Sequence, residues 1–350
     1  MYGNIIYMPI IGLDLGKSSF RAIELDKKKE GIFVNRAAVY ENPKLNFDSD
    51  AKEDIDSYVA ALREFFSEAE FTVPNVAAGL DEKYIYMRTI KVPQMNDKDL
   101  KNAVSFEAEQ YIPLPLNEVT ISYQKLDVDY ADRAKMNVQI VAARQSVLAR
   151  HMEVLKRAKL MPKSVEPETV ALGRALGDTL ENPAGSVILD LGFSRTIIII
   201  TYGGFVRFTR NIPIGGDILT KTLQQNLGLD YNQANEYKKA YGMDKNQADG
   251  KVFNALKPQV DNIISEVQRA AIFFTKQQPN ATIKRVILTG GTAQLPGLLL
   301  YLASSMDYEV ELANPFRDLK ISPKVMQLDP KFMEHGPVFS TALGLALREM

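Results

Sequence analysis

Cysteine and tryptophan are absent from this 350-residue chain, and only two histidines, His151 and His335, occur in it. Without cysteine there is no disulfide framework and no thiolate metal site, and two histidines cannot build a histidine-rich one. A hard, oxygen-liganded ion such as Mg2+ stays compatible, because one or two carboxylates plus a ligand's phosphates suffice for it. An excess of charge is also missing: 42 basic residues stand against 43 acidic ones. No global field therefore favours nucleic acid or an anionic membrane. The first basic residue is Lys17, so the start of the chain lacks the basic leader of a secretory signal. Apolar runs such as Ile197 to Ile200 fall far short of the ~20 residues that cross a bilayer. These absences predict a soluble, cytoplasmic protein that reaches a membrane only through a partner and does not take nucleic acid.

The hydrophobic fraction of 46% is that of a globular protein, and the length predicts two domains. An internal repeat locates them. Ile11-Gly12-Leu13-Asp14-Leu15-Gly16 near the start is echoed by Ile188-Leu189-Asp190-Leu191-Gly192, at half-chain offset. In each copy a short apolar run ends in Asp-Leu-Gly and small or polar residues, and a second apolar strand follows, Phe20 to Leu25 or Thr196 to Tyr202. Two equivalent hairpins in two halves predict duplicated α/β domains that face each other. The spacing predicts helices over 54–69, 96–111, 215–227, 231–241, 251–277 and 338–347, and strands over 76–80, 84–92, 120–126, 136–143 and 285–288. The block 93–155 reads as a small α+β insertion.

Gly12 to Ser18 narrowly misses a P-loop: one residue is lacking, and Phe20 to Leu25 alternates like a strand where that motif opens a helix. A phosphate-binding hairpin fits better. Gly16 permits a tight turn, and the amides of Lys17, Ser18 and Ser19 can turn toward anionic oxygens. Asp14 at the strand end is placed to hold Mg2+ through water, and Lys17 to add a point charge. Asp190 supplies a matching carboxylate, and Gly192, Ser194 and Arg195 matching turn positions. One copy alone reads as an ordinary hairpin turn; two at half-chain offset favour a shared site. Gly290, Gly291 and Thr292 follow a buried strand, and paired glycines let a flat base approach the main chain, although for this segment standing alone a plain strand-to-helix turn is the better account. Glu166, before Pro167, is either an exposed linker residue or a carboxylate that orients water toward a terminal phosphate.

These motifs resemble the actin-like ATPase superfamily: Asp14-Leu15-Gly16 its first phosphate motif, Asp190-Leu191-Gly192 the second, and Leu288-Thr289-Gly290-Gly291 its adenosine motif. Glu107-Ala108-Glu109-Gln110-Tyr111-Ile112-Pro113-Leu114-Pro115, Val165-Glu166-Pro167 and Asn211-Ile212-Pro213-Ile214-Gly215-Gly216-Asp217 resemble the PilM family of type IV pilus assembly proteins, over about 10–350. The resemblance implies a duplicated actin-like fold with ribonuclease H-like halves and an FtsA-type α+β insertion. It places the first domain at 1–92, 156–185 and 330–350, the insertion at 93–155, and the second domain at 186–329 with a helical subdomain at about 217–282. It implies ATP and Mg2+ as ligands, Lys238 near the sugar or base, and binding of the cytoplasmic N-terminal peptide of PilN at the inner membrane. Links to pilus motor ATPases and self-association belong to the same expectation. Phe193 and Arg195 depart from the glycine- and threonine-rich second phosphate motif, which argues for slow hydrolysis. Two rivals share the fold: an FtsA-like division filament, whose amphipathic tail is not seen after the last core helix, and a small-molecule kinase, against which the pilus-like insertion argues.

Overall fold

A computed structural model of the chain describes residues 8–41, 45, 47–128, 134–177, 184–278 and 281–350; the first seven residues, read above for a leader, lie outside the described residues. The first Asp-Leu-Gly segment closes β1 (Ile10–Leu15), which forms an antiparallel meander with β2 (Ser19–Lys28) and β3 (Gly31–Glu41). Helix α1 (Lys52–Glu68) crosses over, and β4 (Asn75–Leu80) returns parallel to β1. β1 and β4 are buried on both faces, which is why both read as unbroken apolar runs.

Next comes a separate three-stranded sheet of order β5-β7-β6, built from β5 (Ile85–Pro93), β6 (Val119–Val128) and β7 (Lys135–Arg144), with α2 (Asp97–Tyr111) between β5 and β6 in the chain. Asn96 caps α2 as its spacing predicts, accepting from the Asp99 amide at 3.0 Å. Leu100 and Val104 of α2 pack on Ile90, Val138 and Ile140 of the sheet. This sheet takes in β5, which pairs with β7 along its whole length from Ile85, ahead of the boundary at 93 read from the sequence. At the other end α3 (Gln145–Arg157) leaves the small sheet, because Val154 and Leu155 join Val59 and Leu62 in the core of the first half. β8 (Met161–Pro167) then pairs with β4, and α4 (Glu168–Leu176) leads out.

The second half repeats the pattern. β9 (Gly185–Leu191), β10 (Thr196–Tyr202) and β11 (Phe205–Ile212) form the meander. Helices α5 (Gly216–Leu227), α6 (Tyr231–Tyr241) and α7 (Lys251–Gln277) precede β12 (Ile283–Thr289), which runs parallel to β9; α8 (Leu298–Ser305) leads to the parallel β13 (Glu309–Leu312). The chain returns to the first half through β14 (Lys320–Ile321), α9 (Pro323–Leu328) and α10 (Gly336–Leu347). The sheet orders are β14-β3-β2-β1-β4-β8 and β11-β10-β9-β12-β13. Removing β14 leaves two sheets of identical order and direction, the duplicated α/β fold that the repeat predicts.

Two helices join the halves. α4 lays Leu172 and Leu176 on Ile188 and Ile197 of the second sheet. α10 is apolar nearly all round and lies against β1 and α4. The approach is close enough that a Cβ on Gly12 would stand 1.8 Å from the Ala342 carbonyl oxygen, and one on Gly344 2.0 Å from that of Ala171. Glycine at both positions is a packing requirement.

Candidate phosphate-binding cleft

In open α/β sheets, ligands collect at the carboxyl ends of the parallel strands. β1, β4, β9 and β12 end at one cleft, and the loops after them supply its walls. Asp14, Gly16, Lys17 and Ser18 line it from the first hairpin; Asp190, Gly192, Ser194 and Arg195 face them from the second; Gly290 and Gly291 form a ledge after β12. The structure thus brings together ten of the residues singled out in the sequence.

The second hairpin is pinned to the start of α5: the Gly216 and Asp217 amides donate to the carbonyl oxygens of Gly192 (3.0 Å) and Phe193 (2.9 Å). Gly290 has φ +84°, and a Cβ there would meet Asp190 Oδ1 and the Leu191 oxygen at 2.6 Å; a Cβ on Gly291 would meet nothing within 4 Å. The main chain at Gly291 is therefore bare toward the cleft, a surface on which a planar ring can rest.

Four candidates fall elsewhere. Ser19 is buried on β2, opposite Glu41. Thr292 donates from its hydroxyl to the Gly192 oxygen at 3.2 Å, so it braces the second hairpin. Lys238 is buried behind α5, where its ammonium donates to the Gly216 oxygen (2.8 Å) and the Thr220 hydroxyl (2.7 Å), and burial lowers its pKa to about 8. Glu166 does not line the cleft: Arg174 grips both its oxygens, at 2.6 and 2.8 Å, and Arg348 adds a contact at 3.0 Å. Both of its oxygens are thus engaged by arginines away from the cleft.

Three charged residues that the sequence reading passed over line the cleft instead: Arg21, Asp81 and Glu168. Arg21 lies opposite Asp14 in register and pairs with it at 3.0 Å. Asp81 directly follows β4, and an acid directly after a buried parallel strand was the available signal. Glu168 opens α4, two residues beyond Glu166. Arg195 reaches Asp81 at 2.7 Å and Glu168 at 3.8 Å. Burial raises the Asp14 carboxyl, partly offset by Arg21. Burial, then the Asp14 carboxylate, pushes the Asp190 carboxyl up to about 6. Burial, followed by Asp81 and Asp14, holds Glu168 well above the usual carboxylate range. Such crowding calls for a cation. Among the described residues no three His, Asp or Glu side chains converge to hold a metal unaided. A Mg2+ ion here fits only as a companion of phosphate oxygens, the usual manner of its binding.

A separate groove of ≈ 450 Å³ runs under the small sheet. Ser122 and Gln124 of β6 and Gln139 and Val141 of β7 form one wall; Val165 and Glu166 of β8, Val170 and Arg174 of α4, and Arg348 form the other. β6 and β8 are both edge strands of their sheets.

Comparison with known proteins matches this geometry. The model of the family described as "Type IV pilus assembly protein PilM" matches residues 12–350. A solved PilM-PilN type IV pilus biogenesis complex superposes with a TM-score of 0.83 at 26% identity, covering 98% of this chain and 99% of that one. The cell division protein FtsA of Neisseria meningitidis is 22% identical, over 95% of this chain and 88% of its own length. MreB 5 of Spiroplasma citri, solved with AMPPNP, shares the fold with a TM-score of 0.52 at 12% identity, over 97% of this chain and 95% of that one. No helix among the described residues is long and apolar enough to cross a membrane. With the family's model matched over nearly its whole length, the chain belongs to the type IV pilus assembly protein PilM family.

Proposed function

We propose that the chain is an ATP-binding scaffold of a type IV pilus platform, in which nucleotide acts as a conformational ligand and a peptide from a membrane partner is the cargo. The observation that carries the nucleotide part is the pair of Asp-tipped hairpins facing each other across one cleft, with the bare Gly291 ledge beside them. In this reading the amides of residues 16–18 and Lys17 take phosphate oxygens. Asp14 and Asp190 order the water shell of Mg2+, whose chemistry is to neutralise the phosphates. Gly290 and Gly291 carry the adenosine. Hydrolysis is slow, because Phe193 and Arg195 occupy the second turn and Glu166 is engaged by two arginines.

The partner is the short cytoplasmic N-terminal peptide of a PilN-like membrane protein, which keeps this cytoplasmic chain at the inner membrane. Such a peptide suits the groove under the small sheet, where the edge strands β6 and β8 offer main-chain partners to an extended segment. Coupling to pilus motor ATPases and self-association extend the same scaffold role. The test is titration of the full chain with that peptide, beside a Val141→Trp variant that fills the groove. Loss of at least about tenfold in peptide affinity with nucleotide binding kept is the expected result. Wild-type peptide binding by the variant places the docking site elsewhere.

A further inference from the structure

Beyond β4 the chain passes Asp81 and makes one tight helical turn, Glu82–Tyr84, before β5 begins. Asp81 lines the phosphate cleft, whereas Glu82 lines a different cavity of ≈ 310 Å³. Its walls come from β5, the end of α2 and β7 on the side of the small sheet, and from Thr209 and Asn211 of β11 on the other. The volume is at the lower end of the range for small-ligand pockets, about 300–1,000 Å³. Neither the phosphate cleft nor the groove under the small sheet includes it.

Glu82 and Arg88 are the only charged groups among the described residues around this cavity. Glu82 is 6% exposed. It accepts from the hydroxyls of Thr169 at 2.8 Å and Thr209 at 3.2 Å, and no cation among the described residues forms an ion pair with it. Glutamate is almost never so buried without a paired charge. Burial raises its pKa, and the two hydroxyls offset part of that. Arg88 is exposed on β5, and its guanidinium lies over the Tyr111 ring, 3.8 Å from the centroid. Among the described residues no carboxylate pairs with it. A guanidinium stacked on a ring is held in place while its N–H edge stays available for two parallel bonds to a carboxylate. Between the two charges, Ile112 and Ile140 supply apolar wall. A buried anion and an exposed cation that share one cavity without pairing select an occupant with both charges, joined by an apolar stem.

We propose that this cavity binds a basic α-amino acid residue: its side-chain cation meets Glu82, its α-carboxylate meets Arg88 at the mouth, and its stem lies along Ile112 and Ile140. The same chemistry is offered by a free basic amino acid and by one at the end of a peptide chain. The site stands apart from the proposed nucleotide and peptide sites, so its failure leaves those readings untouched.

Calorimetric titration of the full chain tests the site with L-arginine, L-lysine, agmatine (arginine without its carboxyl group) and L-citrulline (arginine with a neutral head). L-Arginine or L-lysine should bind, and L-arginine should bind at least about tenfold more tightly than agmatine or L-citrulline. Glu82→Gln, which keeps an acceptor for the two threonines, should erase the preference for arginine over citrulline and keep that over agmatine. Arg88→Gln, at an exposed position, should do the converse. A variant that is merely misfolded loses both preferences together, so the two opposite outcomes separate recognition from folding. A Gly-Gly-Arg tripeptide distinguishes the sources: tighter binding than free arginine assigns the site to a chain terminus, weaker binding to the free amino acid, and both results keep the site. Three results overturn the proposal: no binding of arginine, lysine or the tripeptide at about 10 mM, equal binding of arginine, agmatine and citrulline, or preferences unchanged in both variants.

Discussion

Gly290 and Gly291 are neighbours with opposite surroundings, and substituting them separates fold from ligand. A methyl on Gly291 meets nothing within 4 Å, and φ there is not in the left-handed region. The chain should accept alanine or valine within about 0.5 kcal/mol, as at other open surface positions. A methyl on Gly290 would sit 2.6 Å from Asp190 Oδ1 and from the Leu191 oxygen, at φ +84°. Strain and overpacking together should cost about 1–3 kcal/mol, a drop of roughly 2–4 °C in melting temperature per kcal/mol. For nucleotide the order reverses in meaning: the Gly291→Val side chain occupies the ledge on which the adenosine is proposed to rest. Intrusion of that size costs about 1–3 kcal/mol, or roughly five- to 150-fold in affinity. Calorimetric titration with Mg·ATP and thermal denaturation of both variants give the four numbers needed. Gly291→Val with wild-type stability and wild-type affinity would refute the placement of the nucleotide on this ledge.

Gly344→Ala would put a methyl 2.0 Å from the Ala171 carbonyl oxygen, so α10 must shift off α4; thermal denaturation should show a loss of about 1–3 kcal/mol or more, and an unchanged midpoint would contradict this packing. Burial, then the Asp14 carboxylate, pushes the Asp190 carboxyl up to about 6, above the ordinary aspartate range. Its extra proton favours the folded state at low pH, and that contribution is lost as pH rises through about 6. Mg·ATP affinity should run the other way, falling from pH 7 to pH 5 as the proton competes with the cation. Asp190→Asn should remove the midpoint near 6, and a profile unchanged by that substitution would assign the titration to another group. Purified chain without partners should turn over ATP below roughly 1 s⁻¹, under the common range of enzymes; faster steady-state phosphate release would mark an enzyme misread as a scaffold.

The duplication was legible because each copy compresses a strand end, an acid and a turn into a few residues, and the half-chain offset needs no long-range information. Helices α2, α5, α6 and α7 declared themselves by their spacing, and α2 also by its cap Asn96; the capping box at Asp230 that opens α6 was not read. What stayed hidden depends on pairing. β8 contains Pro162 and Pro167, which in isolation argue against a strand; it is admitted because it is the edge of its sheet. Without that strand the direction of Glu166 was unreadable, and so was the fact that Glu168, two residues on, turns into the cleft. β11 carries Arg207 and Arg210 among its apolar residues; its edge position admits them, Arg210 pairing with Glu266 of α7 and Arg207 donating to the Tyr202 oxygen. Lys238 reads as a polar residue of an amphipathic helix, and nothing in the spacing reveals that its ammonium is drawn under α5. The boundary of the insertion moved for a similar reason: β5 looks alike whether it pairs with β4 or with β7.

The central claim is that Asp14 and its hairpin hold a Mg·ATP complex, and thermal denaturation with and without that ligand tests it most directly. At 100 times its dissociation constant the ligand should stabilise the unsubstituted chain by about 2.7 kcal/mol, a rise of several degrees at roughly 2–4 °C per kcal/mol. Asp14→Ala should fold but show no such rise. A full rise in Asp14→Ala, with wild-type affinity for Mg·ATP, would contradict the account.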